Sequence, residues 1–176
     1  EAVEKGRLPA SVTGLSNVHK AHIVYYLAQK GKVLVICDDE ASALKMCEDI
    51  NAMSDKETAV LFPVKDYAFA NIETASPEYE HKRIRALVRI LSGESNVLIT
   101  SAEASMQPTI PQDILEESVI TLRPDDEVNV RQLVSKLTKL GYSRAAQTEG
   151  RGQFSIRGDI IDIFPVNNIM PVRIEL

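Results

Sequence analysis

Cysteine and histidine are scarce in this sequence of 176 residues, which has two cysteines, three histidines and no tryptophan. Two cysteines are too few for a disulfide framework, and the apolar surroundings of Cys37 and Cys47 indicate reduced thiols that pack in a core. The histidines His19, His22 and His81 form no metal-ligand spacing with either cysteine, so a zinc site is not expected.

Long apolar runs are also missing, because no stretch approaches the roughly 20 apolar residues of a membrane span. The beginning of the sequence lacks the basic and then apolar pattern of a secretory signal. We therefore expect a soluble cytoplasmic protein. Hydrophobic residues still make up 44% of the sequence and charged residues 26%, which is enough for a core in one or two domains.

The net charge of −5 argues against a protein that coats DNA, but the charge is unevenly distributed. Residues 1–122 contain 12 basic against 18 acidic residues, whereas residues 123–176 contain 8 against 7. Between residues 128 and 158 only Glu149 is acidic, and the basic residues are Arg131, Lys136, Lys139, Arg144, Arg151 and Arg157. This basic segment is either an ordinary solvated surface or a surface that binds a partner.

Alternating strand and helix patterns occupy the first part of the chain. The apolar runs 33–37, 59–62 and 97–99 predict parallel strands covered on both faces, with 33–37 as an inner strand. A third helix is predicted to begin at Ser76 and Pro77. The alternation predicts a layered α/β domain. The helix faces predicted to be buried are Val18, Ile23, Val24 and Leu27; Ala43, Leu44, Cys47 and Ile50; and Ile84, Leu87, Val88 and Leu91.

A charged breaker at residues 123–126 predicts a boundary between one domain at 1–123 and another at 124–176. Asn129 and Gln132 form a capping box, which predicts a helix from Val130 that ends at Gly141. Strand patterns follow at 154–157 and 160–164, so the second domain is predicted to be a small α+β unit. Alternation assigns Phe154 and Ile156 to the buried face, and the opposite face receives Arg151, Gln153, Ser155 and Arg157.

Residues 14–21 have the outline of a nucleotide-binding P-loop, of which only Gly14 and Lys20 match. His19 stands where the second glycine belongs, and Ala21 stands where a hydroxyl residue binds magnesium. The sequence therefore predicts a degenerate nucleotide loop. The acidic run 38–40 follows a strand without a glycine-rich turn, so it is better explained as an acidic helix N-terminus. No catalytic residues are predicted.

Two motifs near the end of the chain resemble a known family. Residues 152–165 read GQFSIRGDIIDIFP and residues 171–175 read PVRIE. Both closely resemble a segment shared by the excision-repair helicase UvrB and the bacterial transcription-repair coupling factors (Mfd). Shorter matches occur in the family's order at residues 12–15, 33–38, 62–63, 76–78 and 141–144, so the resemblance spans nearly the whole chain.

Within this family the chain resembles the N-terminal UvrB-homology module of the coupling factors more than UvrB itself. UvrB keeps an intact P-loop and a tyrosine-rich hairpin that clamps DNA in the region corresponding to 66–76, where this chain has only the short stretch 67–71. The resemblance implies a helicase-like α/β domain of the UvrB domain 1 type, followed by an α+β domain of the UvrB domain 2 type. The alternative is the front part of a UvrB-type helicase that binds ATP and DNA.

The resemblance also implies a function, the recruitment of UvrA to stalled transcription complexes in transcription-coupled nucleotide excision repair. UvrA is the damage-recognition ATPase of this pathway. In the family this module has no ATPase activity, so no cofactor is expected here. ATP and magnesium would serve only the motor that moves on double-stranded DNA and displaces RNA polymerase, elsewhere in a longer parent of which this chain is expected to be a fragment.

Three arginines match basic positions in the UvrA-facing part of the family. Arg144 and Arg157 are expected to be the main UvrA anchors, with Arg151 in support. Ser155 departs from the family pattern because UvrB has an arginine there, so the interface is expected to carry less charge. A third hypothesis, a basic DNA-binding module, stays open, although the basic segment lacks interleaved exposed aromatic residues.

Overall fold

A computed structural model describes residues 5–6, 8–65 and 78–176. Two compact units lie within Glu1–Val64 with Arg89–Ser105, and within Lys65–Val88 with Met106–Leu176. The expected helix start at Ser76 and Pro77 and the stretch 67–71 lie outside the described residues. The division of the chain into domains 1–123 and 124–176 stays a prediction.

The described residues form helices and strands in a mixed α/β arrangement. The helices are α1 Asn17–Ala28, α2 Glu40–Asn51, α3 Glu78–Ser92, α4 Ala102–Ser105, α5 Gln112–Ser118 and α6 Val130–Lys139. The strands are β1 Val33–Cys37, β2 Ala59–Phe62, β3 Val97–Ser101, β4 Ser143–Arg144, β5 Gln153–Arg157, β6 Ile160–Phe164 and β7 Val172–Glu175. No helix in the described part of the chain is long and apolar enough to cross a membrane.

The first unit contains a parallel sheet, as the apolar runs predicted, and its strand order is β1-β3-β2. The expectation that 33–37 is an inner strand is wrong, because β1 is an edge strand. Val33 and Val35 pack in the core, whereas Leu34 and Ile36 are 59% and 56% exposed. An apolar run predicts a strand, but it does not reveal whether both faces are covered.

The helices of the first unit bury small residues against the sheet. Ala21 and Ala28 of α1 and Ala43 of α2 are almost fully buried in the core of this unit. The predicted faces are wrong at Val18 and Ile23, which are 52% and 41% exposed, and at Leu44 and Leu91, which are also exposed. The fully buried positions of α1 are its alanines, and Val24 and Tyr25 are only partly buried against the same core. Helix α2 also buries the larger side chains of Met46 and Ile50.

The second unit contains a mixed sheet with the strand order β4-β5-β6-β7. Strand β4 runs parallel to β5, and the other neighbours are antiparallel. Helix α6 packs through Leu133 and Leu137 against Phe154, Ile161 and Ile163, which form the inner face of this sheet. We call the opposite side, which carries Arg157, Asp162 and Arg173, the outer face.

The predicted boundaries of α6 are confirmed at both ends. The Asn129 side chain accepts a hydrogen bond from the backbone N–H of Gln132 at 3.1 Å, as a capping residue does. Gly141 follows the helix with φ +84, the left-handed conformation that suits glycine at this position. The acidic run is also confirmed as a helix start, since Asp39 caps α2 by accepting from the N–H of Ser42 at 2.7 Å.

Candidate partner-binding site

The three predicted anchor arginines are exposed and lie near one another in the sequence of the second unit. Arg157 ends β5, Arg144 lies on the edge strand β4, and Arg151 belongs to the turn before β5. Arg144 is the register partner of Phe154, so it belongs to the side of the sheet that α6 covers. The register therefore places Arg144 at the sheet edge and does not bring it onto the outer face beside Arg157.

Arg157 shares a carboxylate with a second arginine on the outer face. Its guanidinium donates to Asp162 Oδ2 at 3.0 Å. Arg173 of β7 donates from Nε to Oδ1 at 2.7 Å and from Nη2 to Oδ2 at 3.1 Å. Asp162 is thus bracketed by cations from the strands on both sides of its own.

Burial is unequal within this cluster. The Asp162 side chain is 12% exposed, whereas the side chains of Arg157 and Arg173 are 57% and 55% exposed. The two hydrogen bonds from Arg173, assisted by the one from Arg157, hold the pKa of the Asp162 carboxyl below its usual range, although desolvation opposes this. Asp162 is therefore a shielded anion beneath two solvent-facing cations at neutral pH.

Arg151 is held by two contacts in its turn. Its Nε donates to the backbone carbonyl of Asn168 at 3.0 Å. Its guanidinium lies 5.8 Å from the centre of the Phe164 ring, a distance at which a cation and an aromatic face attract each other. Because Phe164 alternates with the inward Ile163, Arg151 stands over the outer face near one end of β6.

The outer face is covered at Ser155, which was expected to point away from the core. Ser155 is only 1% exposed. The Thr148 hydroxyl donates to Ser155 Oγ at 3.1 Å or to the Asp162 carbonyl at 3.2 Å. The segment before β5 thus crosses the sheet there, and a larger side chain at position 155 would have to displace Thr148.

The nucleotide-loop residues begin α1 without a preceding strand, since the described stretch 8–16 is irregular. Ser16 caps the helix, accepting from the His19 N–H at 3.5 Å, and its hydroxyl lies 3.1 Å from His19 Nδ1. Gly14 has a left-handed φ of +75, and Ala21 is fully buried in the core. Lys20 is exposed near the end of β1, where it partly offsets the rise in the Cys37 thiol pKa caused by burial and nearby aspartates.

An apolar cavity of about 570 Å³ lies within the second unit. Its wall is mostly aliphatic and includes Ile84, Leu133 and Ile163. Tyr142 contributes a hydroxyl that accepts from the Val166 N–H at 3.2 Å. The cavity wall thus offers apolar surface, and no group of three metal-ligating side chains is found among the residues that the structure describes.

Sequence reasoning missed Asp162 and Arg173 as members of the site. Both lie in the quoted motifs, and the alternation of Val172, Arg173 and Ile174 assigns the arginine to the opposite face from its apolar neighbours. Their proximity depends on the pairing of β6 with β7, in which Asp162 and Arg173 are register partners. The pattern in one strand contained no information on that pairing.

Comparisons with known proteins found a family model that matches part of the second unit. Residues 120–176 match the family model of the UvrB interaction domain. Transcription-repair-coupling factors match nearly the whole chain. The factor of Bacillus subtilis is 29% identical over 94% of this chain, that of Staphylococcus aureus strain USA300 31% over 97%, and that of Staphylococcus haemolyticus 32% over 94%.

The matched relatives are much longer than this chain, which spans only 14–15% of their length. The matched domain contains β5, β6 and β7 and most of the charged residues of the outer face. The resemblance drawn from the sequence motifs is therefore confirmed: nearly the whole chain is similar to one stretch of the transcription-repair-coupling factors, and its residues 120–176 match the UvrB interaction domain.

Proposed function

We propose that the second unit is a docking module for UvrA that acts in transcription-coupled nucleotide excision repair. The observation that carries the proposal is the exposure of guanidinium groups on the sheet built from the residues that match the UvrB interaction domain. Arginine suits this role because its planar fork engages a carboxylate through two hydrogen bonds. The partner surface is accordingly expected to be acidic.

In this proposal Arg157 and Arg144 are the main anchors, and Arg151 supports them. Arg157 and Arg151 contact the partner from the outer face, while Arg144 contacts it at the β4 edge. The partner must therefore follow the sheet around its edge. Arg173 joins the anchors, because its side chain is exposed to the same extent as that of Arg157.

The test is calorimetric titration of UvrA with single variants. Arg144→Ala and Arg157→Ala should each weaken binding by about 1 to 3 kcal/mol, and a loss of 2 kcal/mol corresponds to roughly thirtyfold in affinity. Arg144→Glu should weaken it further, since it sets like charges against each other. Arg157→Gln removes the charge but keeps a donor for Asp162, so the cluster retains a hydrogen bond.

Two controls make the same change of charge at residues that are not among the proposed anchors. Arg131→Glu lies in the first turn of α6, where a carboxylate interacts favourably with the helix dipole, and Lys56→Glu lies in the first unit. Both should bind UvrA like the parent chain. If the Arg144 and Arg157 variants also bind like the parent while circular dichroism shows them folded, the proposed surface is wrong.

We further propose that residues 14–21 are a degenerate nucleotide loop and that the first unit serves as a scaffold without ATPase activity. The absence of a strand in the described stretch 8–16, the Ser16–His19 contact and the buried Ala21 support this. Titration with ATP and magnesium up to millimolar concentration, where binding corresponds to only about 4 kcal/mol, should show no saturation. Binding tighter than roughly 100 μM would contradict the proposal.

The wider activity belongs to the proposal as well. The matched proteins are named as factors that couple transcription to repair. The resemblance implies that an ATP-driven motor, and the contacts with RNA polymerase and double-stranded DNA, belong to the rest of a longer parent. In this scheme the present chain supplies the contact with UvrA. A pull-down of UvrA by the isolated chain, without ATP or DNA, tests that assignment.

A further inference from the structure

The cluster on the outer face has an unusual division of burial between its charges. Asp162 lies on β6, between β5 and β7, and its carboxylate is largely shielded from water. Arg173 faces it directly across the strand pair, and Arg157 reaches it diagonally. The Asp162 carboxylate is therefore largely inaccessible to a partner, whereas the guanidinium groups of Arg157 and Arg173 are exposed and can contact it.

The geometry leaves each guanidinium with donors to spare. A guanidinium has five N–H donors. Arg173 directs its Nε and Nη2 at Asp162, and Arg157 directs only Nη2 there. Because both side chains are more than half exposed, their remaining donors are available to a partner carboxylate while Asp162 stays bound.

We infer that Asp162 is a positioning residue, which orders Arg157 and Arg173 before an acidic partner surface arrives. This inference rests on the proposed function. An arginine that is free to rotate loses that freedom when it binds, which weakens association, whereas an arginine already held in place loses little. Asp162 acts through the two arginines and does not touch the partner.

The inference predicts an effect opposite in sign to that of simple charge attraction. Asp162→Asn has nearly the same size but makes the surface more positive by one charge. If the arginines attract UvrA only through their charge, this variant should bind more tightly. If Asp162 positions them, the variant should bind more weakly, by about tenfold for two side chains that must be ordered on binding.

The experiment compares UvrA binding of the parent chain, Asp162→Asn and Asp162→Glu by calorimetry at physiological salt. The same Asp162→Asn change is also made in a chain that carries Arg157→Ala and Arg173→Ala. Positioning predicts weaker binding for Asp162→Asn, partial recovery with Asp162→Glu, and no further loss in the chain without the two arginines. Thermal unfolding of every variant verifies that the binding measurements use folded protein.

A second measurement does not involve the partner. In the ¹⁵N spectrum of the free chain, the Arg173 Nε–H signal should have a high order parameter, and Asp162→Asn should lower it. If the parent chain fails to bind UvrA, the proposed function fails and this inference falls with it. If the parent binds and Asp162→Asn binds equally or more tightly, or leaves the Arg173 signal unchanged, the positioning role alone is overturned.

Discussion

The side-chain amide of Asn51 pairs with the backbone of Ala59 through two hydrogen bonds. Its Nδ2 donates to the Ala59 carbonyl and its Oδ1 accepts from the Ala59 N–H, each at 2.9 Å. Asn51 ends α2 and Ala59 begins β2, so one side chain joins the end of a helix to the start of a strand. Ala59 itself is fully buried.

Asn51→Ala should therefore destabilise the first unit. The change leaves a buried N–H and a buried C=O without these partners, which costs about 1 to 3 kcal/mol in the free energy of unfolding. Urea unfolding followed by circular dichroism measures it. Gln29→Ala, which removes an exposed amide in the same unit, is the control and should change stability by less than about 0.5 kcal/mol. Equal effects of the two variants would contradict the role of Asn51.

The two thiols should differ in reactivity. Burial raises the pKa of the Cys47 thiol to about 11, and its Sγ lies 3.4 Å from the Ala59 carbonyl oxygen. At pH 8 the thiolate fraction of such a group is about a thousandth, and the thiolate is the reactive form. A disulfide reagent should modify the less buried Cys37 first and Cys47 only slowly.

The matched variant is Cys37→Ser, which should leave only the slow reaction in native conditions and a fast one in urea. Absorbance of the released thiol group records both rates. Rapid modification of Cys47 in the folded Cys37→Ser chain would show that Cys47 is more accessible than its burial indicates.

The free energy of unfolding of the second unit should decrease at low pH, because the Asp162 carboxylate becomes protonated. The arginines lower the pKa of the Asp162 carboxyl in the folded state. The contribution of the ionised carboxylate to the free energy of unfolding is therefore fully present above the ordinary carboxyl pKa of 3.8, and it is lost as the pH falls through the lower pKa of the folded state. In urea unfolding between pH 7 and pH 3, the difference in stability between the parent and Asp162→Asn should shrink toward acid. A difference that stays constant over this range would refute the assignment.

The proposed domain boundary can be tested by proteolysis. The segment 123–127 is exposed, and its turn is formed by Asp126 Oδ2, which accepts from the Arg123 N–H at 2.8 Å. Because Pro124 blocks tryptic cleavage after Arg123, an endopeptidase specific for acidic residues is the suitable reagent. Brief digestion should release a fragment that begins at residue 126, 127 or 128, identified by mass spectrometry. Persistence of uncut chain through this segment would argue against the boundary.

Local sequence signals predicted those elements that depend on neighbouring residues. The Asn129 cap of α6 uses a partner three residues away, and such a contact forms within one turn of chain. The apolar runs predicted β1, β2 and β6 with their observed bounds. The short β4 and the helix α5 were not predicted, because a strand of two residues and a helix of seven show too little periodicity.

The order of the strands and the burial of individual side chains could not be predicted from local sequence patterns. Leu34 has the same chemistry as a core residue, but it is exposed because it points to the face of the edge strand β1 opposite to Val33 and Val35, which pack in the core. The candidate site shows the same limit. The family resemblance predicted Arg157 as a site residue from its motif, whereas its contact with Asp162 and the proximity of Arg173 depend on the pairing of β5, β6 and β7.

The sequence by itself determined the alternation of strands and helices, the start and end of α6, the family resemblance and the arginines within the family motif. Each of these depends on a pattern among residues that are close together along the chain. The tertiary structure alone decided that β3 is the central strand of its sheet, that Ser155 is covered by Thr148, and that Asp162 lies between Arg157 and Arg173. The physical reason is that each of these relationships is a contact between residues on different segments. Which strands pair depends on the packing of the whole unit, so the residue pattern within one segment does not reveal the contact.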